Sequence, residues 1–216
     1  MSDTLPGAYQ LKISLSRISP MVWRRVLVRA DLALYGLHRV IQIAFGWEDF
    51  HLHQFKIHGH LFTTQWTGDR HWKAPGQELR LVDLGLRVRQ KFAYDYDFGD
   101  FLEHEVRVEA RTALAARIQY PSCLAGKRAG PPEDCGGPEA YPDLIDQFHS
   151  WQLKRVNSLV RVVNSALDEA DDEGDEPSFI DEELDATFRN FEPERFDRRT
   201  INKFLRELAT DLSGKR

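Results

Sequence analysis

The chain is poor in cysteine, with two thiols, Cys123 and Cys135, among 216 residues. Two cysteines make no disulfide framework, so the fold rests on a packed core, and reduced thiols point to the cytoplasm. Long apolar runs are missing as well. No stretch is long enough to cross a bilayer, and Met1 leads into a polar start rather than a signal peptide, so no membrane association is expected. Positive charge is in deficit: 29 Lys and Arg stand against 34 Asp and Glu, a formal net charge of -5. That balance does not favour nucleic acid as a partner, and leaves such binding to a local patch at Arg24, Arg25, Lys127 and Arg128. What the chain does have is material for a core: 42% hydrophobic residues, with 13 Phe and 5 Trp.

Alternation of apolar and polar residues marks the strands. Tyr9, Leu11, Ile13 and Leu15 alternate with polar neighbours, Ser19-Pro20 interrupts, and Val22 to Val28 resumes, which predicts a hairpin. Asp31 is the expected N-cap of a helix with Leu34, Leu37, His38, Ile41 and Phe45 on one face. Gly46 ends that helix and leaves Trp47 to fold back on its last turn. His51, His53, Phe55 and Ile57 share a face of a third strand, and His58-Gly59 is a tight turn into Leu61-Phe62. Residues 66–77 form a loop. Lys91 to Asp97 and Phe101 to Glu109 make a further hairpin turned near Gly99.

The stretch 121–138 holds four Pro and four Gly, too many for regular structure, and carries both cysteines. Tyr141, Leu144, Ile145 and Phe148 mark a short helix, and Val156, Leu159, Val160, Val163 and Leu167 form the stripe of another over 152–167. Asp168 to Glu176 is an acidic run that reads as a solvated linker. Asp197 caps a last helix, with Phe196 stapled to Ile201. The expected architecture is α+β: β-hairpins forming a mixed sheet packed by helices, in a single main domain. Its core spans 5–150, a helical and acidic insertion spans 151–188, and a C-terminal helix at 189–212 returns to the same domain.

Ordered motifs then give a resemblance. They are Tyr9-Gln-Leu-Lys-Ile13, Pro20-Met-Val-Trp-Arg-Arg-Val26 and Leu37-His-Arg-Val-Ile-Gln-Ile-Ala-Phe-Gly-Trp47. His51-Leu-His-Gln-Phe55 follows, then Tyr94-Asp-Tyr-Asp-Phe-Gly-Asp100 with His104, and Pro121-Ser-Cys123. Arg128-Ala-Gly-Pro-Pro-Glu-Asp-Cys-Gly-Gly137 and Phe196-Asp197 with Asn202 complete the series. In these the chain resembles the plasmid pRiA4b ORF-3-like family. The resemblance implies an α+β domain in a bacterial intracellular protein, with some members labelled as transposon-associated or resolvase-like. It implies little about activity.

The chemistry on offer centres on 94–104. A two-residue Phe98-Gly99 loop would set Asp97 opposite Asp100 and Ala93 opposite His104, gathering Asp95, Asp97, Asp100 and His104 on one face. A three-residue loop would shift the register and scatter them. Opposed carboxylates need backbone amides, an arginine or a cation. Strand parity turns Arg24 inward with Val22 and Val26, so Arg24 or Arg25 is expected to pair with that cluster or with Glu133 or Asp134. Arg128, Glu133 and Asp134 supply a polar centre to the proline-rich loop. A zinc set could be drawn from His51, His53, His104, Cys123 and Cys135, although the spacing matches no paired motif.

No cofactor follows from the sequence; a divalent metal stays open. The reading best supported is a non-catalytic binding or accessory module, associated with plasmids or mobile elements. Its polar pocket lies between the 94–104 hairpin and the 121–137 loop. Against it stand a metal-dependent or acid-base enzyme using Asp97, Asp100 and His104, assisted by Glu133 or Asp134, and a nucleic-acid-binding accessory protein. A protein partner is also compatible. Resolvase chemistry lacks its setting, since Ser14 and Ser16 lie on a strand with few cationic neighbours.

Overall fold

Alternating burial builds one antiparallel sheet. The computed structural model describes residues 7–63, 79–167, 188–189 and 191–214. Its strands are β1 (Gly7–Leu15), β2 (Trp23–Arg29), β3 (His53–Ile57), β4 (His60–Thr63), β5 (Lys91–Tyr96), β6 (Leu102–Ala113) and β7 (Ser122–Lys127). They lie in the order β4-β3-β5-β6-β1-β2-β7. Every ladder is antiparallel, so the α+β layout is the expected one while the sheet is uniform rather than mixed in strand direction. The pairs β1–β2, β3–β4 and β5–β6 are hairpins of consecutive strands, whereas β3–β5, β6–β1 and β2–β7 join strands that are not consecutive.

One face of the sheet is apolar. Tyr9, Leu11 and Ile13 of β1, Val26 and Val28 of β2, Tyr94 and Tyr96 of β5, and Leu102 and Val106 of β6 are all buried. The other face carries cross-strand charge pairs, among them Lys91 with Glu105 at 2.7 Å and Arg25 with Glu109. An antiparallel sheet can bury one face and wet the other. The β3–β4 turn follows expectation: His58 at φ 52° and Gly59 at φ 78° are both left-handed, as a two-residue hairpin loop requires.

Helix α1 (Leu34–Phe45) covers the apolar face. Asp31 does not cap it. The N-cap is Ala33, without a side-chain bond, and Leu34 N–H donates instead to the Leu79 carbonyl at 2.8 Å. Asp31 is taken by Arg29, which grips both its oxygens at 2.8 and 2.7 Å. The C-terminus does match: Gly46 is left-handed and its N–H returns to Gln42 at 2.9 Å, after which Trp47 stacks on Phe45.

Helix α2 (Gly137–Leu167) is continuous through residue 150, joining the two helices expected there. Its first half packs Phe148 and Trp151 against Phe188 and Phe191. The stripe of Val156, Leu159, Val160 and Val163 is exposed. Helix α3 (Arg198–Gly214) starts at its expected cap, where Asp197 accepts from the N–H groups of Arg199 and Thr200 at 3.0 Å. Leu205 and Leu208 are its buried residues. The expected 66–77 loop and the acidic 168–176 run lie outside the described residues. Among the described residues, no helix is long and apolar enough to cross a membrane.

Candidate functional site

The connection after α1, the β5–β6 turn and the 129–137 loop meet at one end of the sheet, and backbone fit holds them there. Gly130 lies against α1: a Cβ at this position would stand 2.2 Å from the Phe45 carbonyl oxygen. Trp47 Nε1–H donates to the Pro131 carbonyl at 2.9 Å. Farther along, Gly136 N–H donates to Asp100 Oδ2 at 3.0 Å, and Gly137, at φ +75°, leaves no room for a Cβ beside the Asp100 carbonyl.

The β5–β6 turn takes the longer form. Asp97 at φ 55° and Phe101 at φ 54° are both left-handed, and Phe101 N–H closes on the Asp97 carbonyl at 2.6 Å. Tyr94 therefore pairs with His104 and Asp95 with Glu103. The register differs by one from that of a two-residue loop, and a slip of one sends every side chain to the other face. Asp95 accordingly no longer shares a face with His104, which lies with Tyr94 and Tyr96. Asp95 is fully buried on the far side, held by Gln54 at 2.6 Å and Lys56 at 2.8 Å.

Asp97 stays at the site and meets His51. His51 Nδ1 lies 3.6 Å from Asp97 Oδ1, and Nε2 lies 3.3 Å from Asp134 Oδ1. One donor atom from each of these residues falls within 4.8 Å of the others. Glu133 sits beside them, accepting from the Tyr96 hydroxyl and from Glu48 N–H at 2.9 Å. Burial, reinforced by that carboxylate, pushes the Tyr96 hydroxyl well above the usual phenol range. Among the described residues, no Lys or Arg forms an ion pair with Asp97, Asp100, Glu133 or Asp134.

The other expected members go elsewhere, each for a physical reason. Arg24 turns inward as parity requires, but it meets backbone carbonyls and two phenyl rings instead of a carboxylate. Arg25, on the opposite face, is held by Glu109. Arg128 pairs with Glu194 at 2.8 Å. The expected arginine–aspartate pair across the site is thus absent among the described residues, and the basic patch through Arg24, Arg25 and Arg128 is not a free cationic face.

The zinc set is likewise dispersed. His51 precedes β3 rather than lying on it, whereas His53 faces α1 and stacks on His38. His104 is fully buried, with the rings of Phe45 and Trp47 nearly perpendicular to it at 4.9 and 5.2 Å. Its Nδ1–H donates to the Tyr94 carbonyl at 3.2 Å, and burial lowers its pKa to about 4. His104 is thus a core imidazole and lies outside the donor group that contains Asp97. Cys123 is buried on β7, and burial pushes its thiol up to about 11. Cys135 belongs to the 129–137 loop, its thiol also raised by burial.

The sequence reading missed a second polar network, which runs beside the first. His38 Nε2 lies 2.7 Å from Asp49 Oδ1, and His38 Nδ1 lies 2.8 Å from the Tyr94 hydroxyl. Gln42 Nε2 donates to the same hydroxyl at 3.0 Å, and Gln42 Oε1 accepts from Asp49 N–H at 3.1 Å, closing the ring. One proton arrangement satisfies all of it: Nε2–H donates to the carboxylate, and the tyrosine donates to Nδ1. His38 was visible on the helix face. Asp49 carried no signal, because it enters from the connection after Gly46 at φ 64°.

Comparison with known proteins supplies the lineage. The model of the family described as "Plasmid pRiA4b ORF-3-like protein" matches residues 7–199. A protein of Sinorhizobium fredii named "Uncharacterized protein y4hQ" is 36% identical over 141 residues, which cover 63% of this chain and 71% of that protein. A crystal structure titled "Protein of Unknown Function MM3350", from Methanosarcina mazei Go1, superposes with a TM-score of 0.64 at 30% identity. That superposition covers 91% of this chain and 98% of the other.

Proposed function

We propose, from the premise that the chain belongs to the plasmid pRiA4b ORF-3-like family, that it is a binding module whose polar pocket holds a divalent cation. The observation that carries this is the donor group of His51, Asp97 and Asp134, within 4.8 Å of one another and without a Lys or Arg ion pair among the described residues. Carboxylates gathered this closely repel, and a cation at their centre reverses the sign of the interaction. Asp97 is almost buried and fixed by Gly99 N–H at 2.9 Å, whereas the Asp134 side chain is 77% exposed, so the site has a rigid base and an open side. One imidazole with two carboxylates suits Mn2+ or Zn2+ better than Ca2+, which takes an all-oxygen cage. Glu133 stands by as a further ligand, or as the acceptor that keeps Tyr96 in place.

The acid-base alternative was built on Asp97, Asp100 and His104, and it loses its histidine to the core.

Equilibrium dialysis of chelator-treated protein against Mn2+ and Zn2+ tests the reading. One ion per chain is expected, with binding abolished in His51→Gln and Asp97→Asn. Retention of less than a tenth of an ion per chain at millimolar cation would end it.

A further inference from the structure

Arg24 is 2% exposed, yet no ion pair reaches it among the described residues. Its guanidinium carbon lies 4.9 and 5.0 Å from the ring centroids of Phe45 and Phe196. In the guanidinium plane, Nε–H donates to the Ala44 carbonyl at 2.6 Å. Nη1 donates to the Trp23 and Lys127 carbonyls at 2.8 and 3.0 Å. These bonds use the Nε and Nη1 hydrogens and leave both hydrogens of Nη2 without an acceptor among the described residues. Carbonyls solvate the group but do not cancel its charge, and burial lowers its pKa to about 10.

The same side chain lines a cavity of about 540 Å³. Phe45, Phe191, Phe196, Ile201 and Phe204 supply an apolar wall. On the solvent side of the lining one guanidinium stands against two carboxylates. Arg195, 58% exposed, meets Glu192 at 3.3 Å and Asp197 at 3.4 Å, and Asp197 also caps α3. The charge that makes no ion pair among the described residues is the buried one. Gly126 fixes the geometry, since a Cβ there would meet the Phe196 ring at 2.5 Å.

We propose that this cavity binds a small amphipathic monocarboxylate, its apolar body among the phenylalanines and its carboxylate on Nη2 of Arg24. A neutral apolar molecule would leave the guanidinium uncompensated. A phosphate or other polyanion would find one free donor edge and, in Glu192 and Asp197, two carboxylates in the cavity lining. The volume matches a metabolite-sized ligand. None of His51, Asp97 and Asp134 lines this cavity, so the inference does not rest on the cation site.

The experiment compares 4-phenylbutyrate with its neutral amide, 4-phenylbutanamide, by isothermal titration calorimetry on the full chain. Loss of a charge-assisted bond should weaken the amide about tenfold or more. Nuclear Overhauser contacts from the bound probe to Phe45 and Phe196 are expected. Ile201→Trp, which adds bulk to the cavity wall, should abolish binding of both probes. Equal affinity for acid and amide overturns the proposal, as does undiminished binding to Ile201→Trp. So does the absence of binding at millimolar 4-phenylbutyrate to folded protein. Arg24→Met should erase the difference between the probes; if that variant does not fold, the comparison on the unaltered chain still decides.

Discussion

His38 and His53 lie face to face, with ring centroids 3.5 Å apart and planes 8° from parallel. Parallel rings aim their nitrogens side by side instead of converging on a point. Although His38, Asp49 and His53 lie close enough to suggest a metal group, the stack therefore reads as a structural contact. His38 is already committed through both nitrogens to Asp49 and Tyr94. Two protonated rings at this spacing would repel, and burial, with His38 second, depresses the His53 pKa far below the usual range.

Acid sensitivity follows from His104 in the same way. Its folded pKa is about 4 against an ordinary 6.5, so the unfolded chain binds the proton first as pH falls. The stabilisation is fully present above pH 6.5 and is lost between there and about 4, an expected change of about 3 kcal/mol. Urea midpoints measured at pH 7.5 and 4.5 should fall steeply for the unaltered chain and less steeply for His104→Leu. Parallel slopes for the two proteins would show that His104 is not held neutral.

What the residues disclosed and what they concealed divides along physical lines. The inward turn of Arg24 was legible because β2 alternates. Its partners were not, because backbone carbonyls leave no mark in a side-chain pattern. The β5–β6 hairpin was legible too, but its register hung on two non-glycine residues, Asp97 and Phe101, adopting left-handed backbone. That single residue of slip put Asp95 and His104 on opposite faces of the sheet, and the left-handed turn at Asp97 took that residue out of the strand alternation. Glu133 and Asp134 were picked out because prolines and glycines flank them, and this is the part of the expected pocket that assembles around Asp97.

Gly130→Ala should be severe for a residue that bears no chemistry. Its added Cβ would sit 2.2 Å from the Phe45 carbonyl oxygen, which belongs to helix backbone and cannot move aside. A loss of roughly 2–4 kcal/mol is expected, or a loop lifted from α1. Because the same loop carries Glu133 and Asp134, cation retention should fall with stability. Thermal melting and equilibrium dialysis on one preparation check both. An unchanged melting temperature would mean that the loop does not pack on Phe45.

The Arg25–Glu109 pair should contribute modestly and in a salt-dependent way. Arg25 donates through Nε at 2.5 Å and Nη2 at 2.9 Å, and Gln10 adds a bond at 2.8 Å. The Arg25 bond, above all, holds the Glu109 carboxyl below its usual range. Its contribution is therefore present above the ordinary carboxylate pKa and is lost as pH falls through the depressed folded value. Glu109→Gln should cost about 0.5–1 kcal/mol at low ionic strength, and less in 1 M salt. Chemical denaturation with urea at the two salt concentrations reads the difference. A cost unaffected by salt would assign the effect to packing.

Asn202 offers the sharpest structural test, because one side chain stands in for a missing strand. Edge strand β7 presents the backbone of Cys123 to α3. Asn202 Oδ1 accepts from Cys123 N–H at 2.8 Å, and Nδ2 donates to Cys123 C=O at 2.9 Å. Asn202→Ala leaves both groups unpaired in a half-buried interface, at a cost of about 1–3 kcal/mol. Asn202→Asp keeps the acceptor but sets an ionised oxygen against the Cys123 carbonyl, so at pH 7 it should be less stable than the alanine variant. Protonation restores a donor at that oxygen, so the order of the two variants should reverse at pH 4. Urea midpoints of both variants at each pH decide it. An aspartate variant that remains below alanine at pH 4 would mean that Nδ2 donates nothing of consequence to β7.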